Sequence, residues 1–238
     1  MSESGTLEEA QVRAMFDRIA GLYDVMNSVM TAGLHHRWRA RAADLAAVPS
    51  GGRALDVASG TGDLALELAA RMAPGGEVVG TDFSQRMLEL ARAKAAERSG
   101  SGARVRFEPA NALELPYADG EFDAATVGFG ARNFSDLGRG LREMDRVVRR
   151  GGRVVVLEIT TPTRPPLSYF FELWFDRVVP MLGRLAGDPD AYSYLPSSVR
   201  RFPRPRELAE LMWRSGLRQI RYVLTAGGII ALHVGTVA

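Results

Sequence analysis

Two carboxylates bracket a glycine turn early in the chain: Asp56 closes an apolar run, and Asp63 follows Gly60-Thr61-Gly62. The stretch Gly60 to Ala65 fits the G-x-G-x-x-G/A fingerprint of dinucleotide sites. It follows a strand pattern, opens a helix pattern, and has an acid, Asp82, at the spacing of about 20 residues used to read a ribose. Spacing alone leaves two chemistries open. A pyrophosphate would sit on free N–H groups at the helix N-terminus, yet each bracketing carboxylate would repel it by several kcal/mol at an effective dielectric of about 20.

A ligand bearing an ammonium and a sulfonium gains from the same arrangement. S-adenosylmethionine is such a ligand, a nucleoside without phosphate and with a cationic amino-acid tail. On this reading Asp56 and Asp63 together favour the cationic tail, Gly60 and Gly62 permit close backbone approach, and Asp82 accepts both ribose hydroxyls. Asn111 and Ala112, just after the third strand pattern, offer an amide and backbone groups to the adenine edge, and Phe83 can cover one face of the ring. Plainer roles stay open for the same residues: Asp63 as a helix cap, Asn111 as a turn former and Phe83 as core. The same sheet also suits a nucleotide-binding oxidoreductase or a non-catalytic regulatory module.

These residues need strands and helices to position them, and the chain alternates accordingly. After Gly51-Gly52, the β-rich runs RALDVA, EVVGTD, VRFEPA, FDAATVGF and RVVVLEI are separated by the helical stretches LALELAARM, SQRMLELARAKAAERS and DLGRGLREMDRVVRR. Such alternation predicts a parallel sheet with helices on both faces. Residues 1–50 read as an N-terminal helical extension or lid, broken at Thr31, Ala32 and Gly33. Residues 51–238 read as the main domain, with an apolar, aromatic and proline-rich cap at about 160–205 and a closing hairpin, QIRYVLT and IIALHVGTV.

Composition narrows the classes. The 238 residues contain no cysteine, which excludes disulfides, thiolate nucleophiles and thiolate metal sites. The pI of about 9.2 is weak evidence for a nucleic-acid partner, because the net charge is only +2 and Lys94 is the single lysine among 30 basic residues. No apolar run reaches the roughly 20 residues of a spanning helix, and the polar N-terminus lacks a signal-peptide pattern.

The segments MFDRIAGLYDVMNSVMTAGLHHRWR, LDVASGTGD, GFGARN, GGRVVVLEI, YSYLP and TAGGIIALHVG together resemble the quinone-biosynthesis C-methyltransferases, a family of class I methyltransferases dependent on S-adenosylmethionine. The resemblance runs from Met15 to Gly235. It implies a Rossmann-like α/β fold with a mostly parallel seven-stranded sheet, helices on both faces and a C-terminal antiparallel hairpin. It also implies S-adenosylmethionine contacts at Thr61, Asp82, Asn111 and Ala112. Where the family has serine this chain has Gly128, which can offer the ligand only backbone groups. The implied acceptor is a prenylated hydroquinone, with demethylmenaquinol ahead of the ubiquinone precursor 2-polyprenyl-6-methoxy-1,4-benzoquinol or another phenol. A cytoplasmic protein with peripheral contact at the inner membrane face is expected, without nucleic acid or metal, and a homodimer stays open.

Carbon methylation of a hydroquinone needs alignment, worth in principle about 7–11 kcal/mol, and a group that ionises or hydrogen-bonds the neighbouring phenol. Arg132 and Asn133 are expected to organise the acceptor hydroxyl, Arg132 by stabilising a phenolate or orienting a water; a structural pair with Asp136 is its plainer alternative. Tyr23 and Asp24 are placed on a lid helix that excludes water. His35, near a helix start that favours the neutral imidazole, is the candidate base, and His233 is assigned to the core. The segment Pro166 to Leu185 reads as an amphipathic helix that packs on the sheet, forms a greasy channel for a prenyl tail, or does both.

Overall fold

The computed structural model describes residues 9–72, 74–98, 102–179, 181 and 189–238. The apolar runs become strands β1 (Arg53–Val57), β2 (Glu77–Asp82), β3 (Arg104–Pro109), β4 (Phe122–Gly128), β5 (Val148–Ile159), β6 (Arg218–Thr225) and β7 (Ile230–Thr236). They form one seven-stranded sheet in the order β3-β2-β1-β4-β5-β7-β6. Strands β1 to β5 pair in parallel, and β7 lies antiparallel between β5 and β6, as the terminal hairpin requires.

Alternation along each strand sorts side chains onto two faces. Ala54, Ala124, Val155 and Leu157 meet one layer, made of α2 (Leu34–Ala46), α3 (Asp63–Arg71) and α4 (Gln85–Glu97). Their neighbours Leu55, Ala125, Val154 and Val156 meet the other, made of α5 (Leu137–Val147) and α8 (Pro205–Arg214). The small residues Ala42, Ala43 and Ala46 let α2 lie close on this core, so part of the N-terminal segment is a working layer of the sheet.

Helix α1 (Glu9–Thr31) is separated from α2 by Ala32 and Gly33, both left-handed. Val12 and Met15 of α1 are buried with Val179, against Phe83, Trp174, Tyr194 and Leu195. The cap contributes α6 (Leu167–Leu173), a π turn Trp174–Val178 and α7 (Pro189–Arg201). The amphipathic segment expected from Pro166 to Leu185 is thus helical through Val178, and its later part lies largely outside the described residues. Among the described residues no helix is long and apolar enough to cross a membrane.

The glycine turn is shaped by one aromatic ring. Phe107 of β3 fills the space beside both Gly62 and Gly80: a Cβ would fall 2.6 Å from its Cζ at Gly62 and 2.4 Å from its Cδ1 at Gly80. Gly62 also has φ +85°, where an L side chain is strained. Gly62→Ala is therefore expected to cost about 2–4 kcal/mol of stability, read as a lower urea midpoint at unchanged slope.

Candidate active site

Parallel strands deliver their carboxyl ends to one edge, and there a polar chamber forms. Asp56 at the end of β1, Asp82 at the end of β2, Asn111 and Ala112 after β3, and Gly128 at the end of β4 all line it, with Gly60, Thr61, Phe83 and, from α1, Phe16 and Tyr23. Asp56 is buried and accepts hydrogen bonds from Ser59 Oγ and Thr126 Oγ1, each at 2.7 Å. Asp82 accepts from the backbone N–H of Gly60 at 2.8 Å and of Ser84 at 2.9 Å. Among the described residues neither carboxylate has an ion pair. Burial pushes both up to about 6, against the pull of those hydrogen bonds.

Asp63 corrects the expected bracket. As the residue after the N-cap Gly62 it turns toward α2 and α4, where it pairs with Arg39 at 3.2 Å and Lys94 at 2.6 Å. Burial opposes its charge, but those two cations hold its carboxyl below the usual range. The two carboxylates that face the chamber without an ion pair are Asp56 and Asp82, with the Arg39 guanidinium pulling Asp56 downward from farther off. Gly62 is not among the residues lining the chamber, and Phe107 occupies the side where its Cβ would stand.

Other predicted residues take specific stances. Thr61 Oγ1 donates to Asp24 Oδ1 of α1 at 2.6 Å, and Lys94 Nζ bonds Asp24 Oδ2 at 2.8 Å and Thr61 Oγ1 at 3.2 Å. Ser84 Oγ adds a bond to Asp17 Oδ1 at 2.5 Å, so α1 is fastened over the chamber at two points. Asn111 Oδ1 accepts from Leu113 N at 2.9 Å, making it a turn former whose residue still lines the chamber. Phe83 lines it too, edge-on to Phe16. At Gly128 a Cβ would sit 3.0 Å from Leu64 Cδ2, the movable end of a leucine side chain.

A second chamber, of about 380 Å³, is apolar. Met15, Ile19, Met26 and Met30 of α1, Trp38 of α2, and Phe171, Trp174 and Phe175 of the cap wall it. Phe16, Tyr23, Arg39 and Phe129 line both chambers and mark where they meet.

His35 lies on the apolar side, buried, with Nδ1 at 2.7 Å from Thr31 Oγ1. The Thr31 hydroxyl donates to Asn27 O at 2.7 Å, so its oxygen receives the Nδ1 proton and Nε2 keeps a free lone pair. Burial first, then Arg39 and His36, lowers the imidazole to about 4, leaving it neutral at pH 7. Burial is thus the largest cause of the neutral form that was expected from the helix dipole. His35, exposed His36 and Asp63 bring ligand atoms within 4.8 Å of one another, but Arg39 and Lys94 already supply the positive charge there.

Arg132 and Asn133 share the 3-10 turn Ala131–Asn133 after β4, yet they face different chambers. Arg132 lines the apolar one, where Nη1 donates to Phe129 O and, at 2.8 Å, to Glu158 Oε1. Burial opposes its charge, but Glu158 outweighs this and holds the guanidinium above its ordinary pKa. Glu158, not Asp136, is its partner; Asp136 caps α5 by accepting from Arg139 N at 2.8 Å. Asn133 lines the polar chamber and accepts from the Tyr194 hydroxyl at 3.2 Å. His233 is core, with Nε2 donating to Pro205 O at 2.8 Å.

Sequence reasoning missed Arg39 and Glu158 and gave Tyr194 no role. A carboxylate inside the run VVVLEI was a usable signal for Glu158, since a buried strand tolerates a charge only with a partner. Nothing distinguished Arg39 among so many arginines.

Comparison with known proteins supplies the family. The model of the ubiE/COQ5 methyltransferase family matches residues 4–237. A demethylmenaquinone methyltransferase of Thermus thermophilus is 48% identical over 93% of this chain and 99% of its own length. A ubiquinone/menaquinone biosynthesis C-methyltransferase UbiE of a Geobacter species is 41% identical over 99% of this chain and 98% of its own. Among solved structures, a SAM-dependent methyltransferase of Thermotoga maritima has a TM-score of 0.63 at 20% identity, covering 94% of this chain and 98% of that one. The [4+2]-cyclase SpnF has a TM-score of 0.69, also at 20% identity, covering 99% of both chains; such likeness speaks for the fold alone. With nearly its whole length matched, and with close relatives aligned end to end, the chain belongs to the ubiE/COQ5 methyltransferase family.

Proposed function

We propose that the chain transfers a methyl group from S-adenosylmethionine to a ring carbon of a prenylated hydroquinone, with demethylmenaquinol as the acceptor. The observation that carries this is the pairing of a polar chamber holding two unpaired buried carboxylates with an apolar chamber, the two meeting at Phe16, Tyr23, Arg39 and Phe129. Asp56 and Asp82 fit a donor that brings positive charge and hydroxyl groups, and they disfavour a diphosphate. The relatives' names supply the acceptor. A 2-polyprenyl-6-methoxy-1,4-benzoquinol is the second reading, favoured by the dual name of the Geobacter relative.

When bound, S-adenosylmethionine supplies an electrophilic methyl group on a sulfonium. The chain's own residues then have four tasks. Asp82 accepts from the ribose hydroxyls, Asp56 faces the ammonium, and Asn111 with Ala112 reads the adenine edge beside Phe83. Phe16 and Tyr23, held down through Asp24 and Asp17, exclude water from the junction. His35 Nε2, neutral and unprotonated, accepts a proton from the acceptor hydroxyl or ring carbon. Arg132, neutralised by Glu158, offers N–H groups to a developing phenolate without adding net charge to the apolar chamber.

The apolar chamber opens through residues that are themselves exposed. Phe170 is 56%, Val29 55% and Leu34 42% exposed, and Tyr169, Leu173 and Val25 extend the same character. This rim suits a bilayer surface that delivers a prenylated acceptor. Trp174 instead faces the chamber, so the rim residues are the ones to alter. Phe170→Glu is expected to reduce co-flotation with phospholipid vesicles while leaving turnover of a short-tailed hydroquinone within about twofold; equal flotation would discount the rim.

Deleting the gene should leave a quinone pool lighter by one CH₂ unit, read by mass spectrometry, with the naphthoquinone or benzoquinone ring system deciding between the two acceptors. An unchanged pool would count against quinone methylation.

The raised carboxylates set a pH dependence. Below about 6 the ligand-free protein carries protons on Asp56 and Asp82, whereas the donor needs both ionised. Affinity for S-adenosylmethionine should be flat at neutral pH and fall as pH drops through about 6, with protons released on binding. Calorimetry in two buffers of different ionisation heat measures that release; none near pH 6 would contradict the assignment.

A further inference from the structure

A neutral imidazole carries one proton on one of two nitrogens, and His35 can take a proton from the acceptor only through the nitrogen that lacks it. Thr31 is placed to decide which that is. Its Oγ1 lies 2.7 Å from the backbone oxygen of Asn27 and 2.7 Å from His35 Nδ1. The carbonyl can only accept, so the single hydroxyl hydrogen goes to Asn27 and the hydroxyl oxygen is left to accept from Nδ1–H. Nε2 has no hydrogen-bond partner among the described residues, and His35 lines the apolar chamber. Arg39, His36, Asp63 and Asp24 act on the ring through their charge, without a hydrogen bond to either nitrogen. They bear on whether the ring is charged; Thr31 bears on where its proton sits.

The bond crosses a corner of the chain. Thr31 ends α1 and His35 stands in the first turn of α2, while Ala32 at φ +49° and Gly33 at φ +75° turn the backbone between them. The corner is closed by the Gly33 N–H, which donates to Ser28 O at 3.0 Å. A pair four residues apart would ordinarily share one helix; here the hydroxyl on one helix reaches a ring on the next. We propose that Thr31 is a positioning residue for methyl transfer, its hydroxyl oxygen holding His35 as the Nδ1–H tautomer so that the Nε2 lone pair is kept for the acceptor. This rests on the reading of His35 as the base, because Thr31 acts through that ring. The role belongs to the hydroxyl and not to the shape of the side chain. Valine keeps the shape and removes the acceptor oxygen, whereas serine keeps the oxygen.

His233 supplies an internal reference for the test. Its Nε2 donates to Pro205 O at 2.8 Å, which requires the opposite tautomer, and burial lowers it to about 4 as well, so both rings are neutral at pH 7. The chain has 3 histidines, few enough to resolve by nitrogen NMR of histidine-labelled protein. Wild type is expected to show His35 protonated at Nδ1 and His233 at Nε2. Thr31→Val is expected to move the His35 proton wholly or partly to Nε2 and to lower kcat about tenfold to a hundredfold, with KM for donor and acceptor within about twofold. Thr31→Ser is expected to keep the Nδ1–H form and a kcat within about threefold of wild type. A wild-type spectrum with His35 protonated at Nε2 overturns the inference even where Thr31→Val fails to fold. So does a Thr31→Val protein that keeps the wild-type tautomer, one whose loss lies in KM alone, or a serine variant as impaired as the valine. His35→Gln separates this from the broader reading: if it turns over like wild type, His35 is not the base. If it abolishes turnover while Thr31→Val leaves kcat unchanged, only the role of Thr31 falls.

Discussion

Parallel strands cannot be joined by tight turns, and the polar half of the site follows from that constraint. Each of β1, β2, β3 and β4 must end on the same edge before the chain crosses back, so Asp56, Asp82, Asn111 and Gly128 gather there without any one segment containing them. Peptide N–H groups in the connecting turns meet some of the resulting charge. The rest is left for a ligand, which is why two carboxylates persist where burial pushes them toward the neutral form.

The second half of the site is built by apolar helices that the sheet does not need for its own closure. Helix α1 and the cap meet through Val12, Met15 and Val179, and their inner faces leave a space that is greasy except for Asn27, Thr31, His35, Arg132, Tyr194 and the junction residues. Two ionisable members of that set are rendered harmless to an apolar occupant, His35 by neutrality and Arg132 by Glu158. An apolar reaction space containing a charge-balanced pair and a neutral imidazole can hold a hydroquinone without stranding a net charge.

Much of this was legible in the residues. Strand runs, the hairpin, the break at Ala32 and Gly33, and the ends of strands carrying Asp56, Asp82 and Asn111 follow from periodicity and turn chemistry, because those signals are local. The fate of Asp63 was not local. Its direction depends on Arg39 and Lys94, which lie on separate helices and meet it only through the layer that α2, α3 and α4 form. What excludes a side chain at Gly62 is equally non-local: the fingerprint names the position, and Phe107, far along the chain, fills the side where a Cβ would stand. The plainer alternative for Arg132 looked to the nearest acid in sequence, Asp136, whereas its partner comes from the adjacent strand.

Lys94 deserves a last consequence. In a chain that uses arginine for every other basic position, it is where oxygens of Asp24, Thr61 and Asp63 converge from three directions. A tetrahedral ammonium meets such a tripod, and a flat fork does not. Because two of those oxygens belong to the glycine turn and its helix and the third to α1, lifting α1 strips one leg from the ammonium and leaves Asp63 holding more of its charge. The seating of α1 and the electrostatic balance of the glycine turn are therefore coupled through the only amine side chain the molecule has.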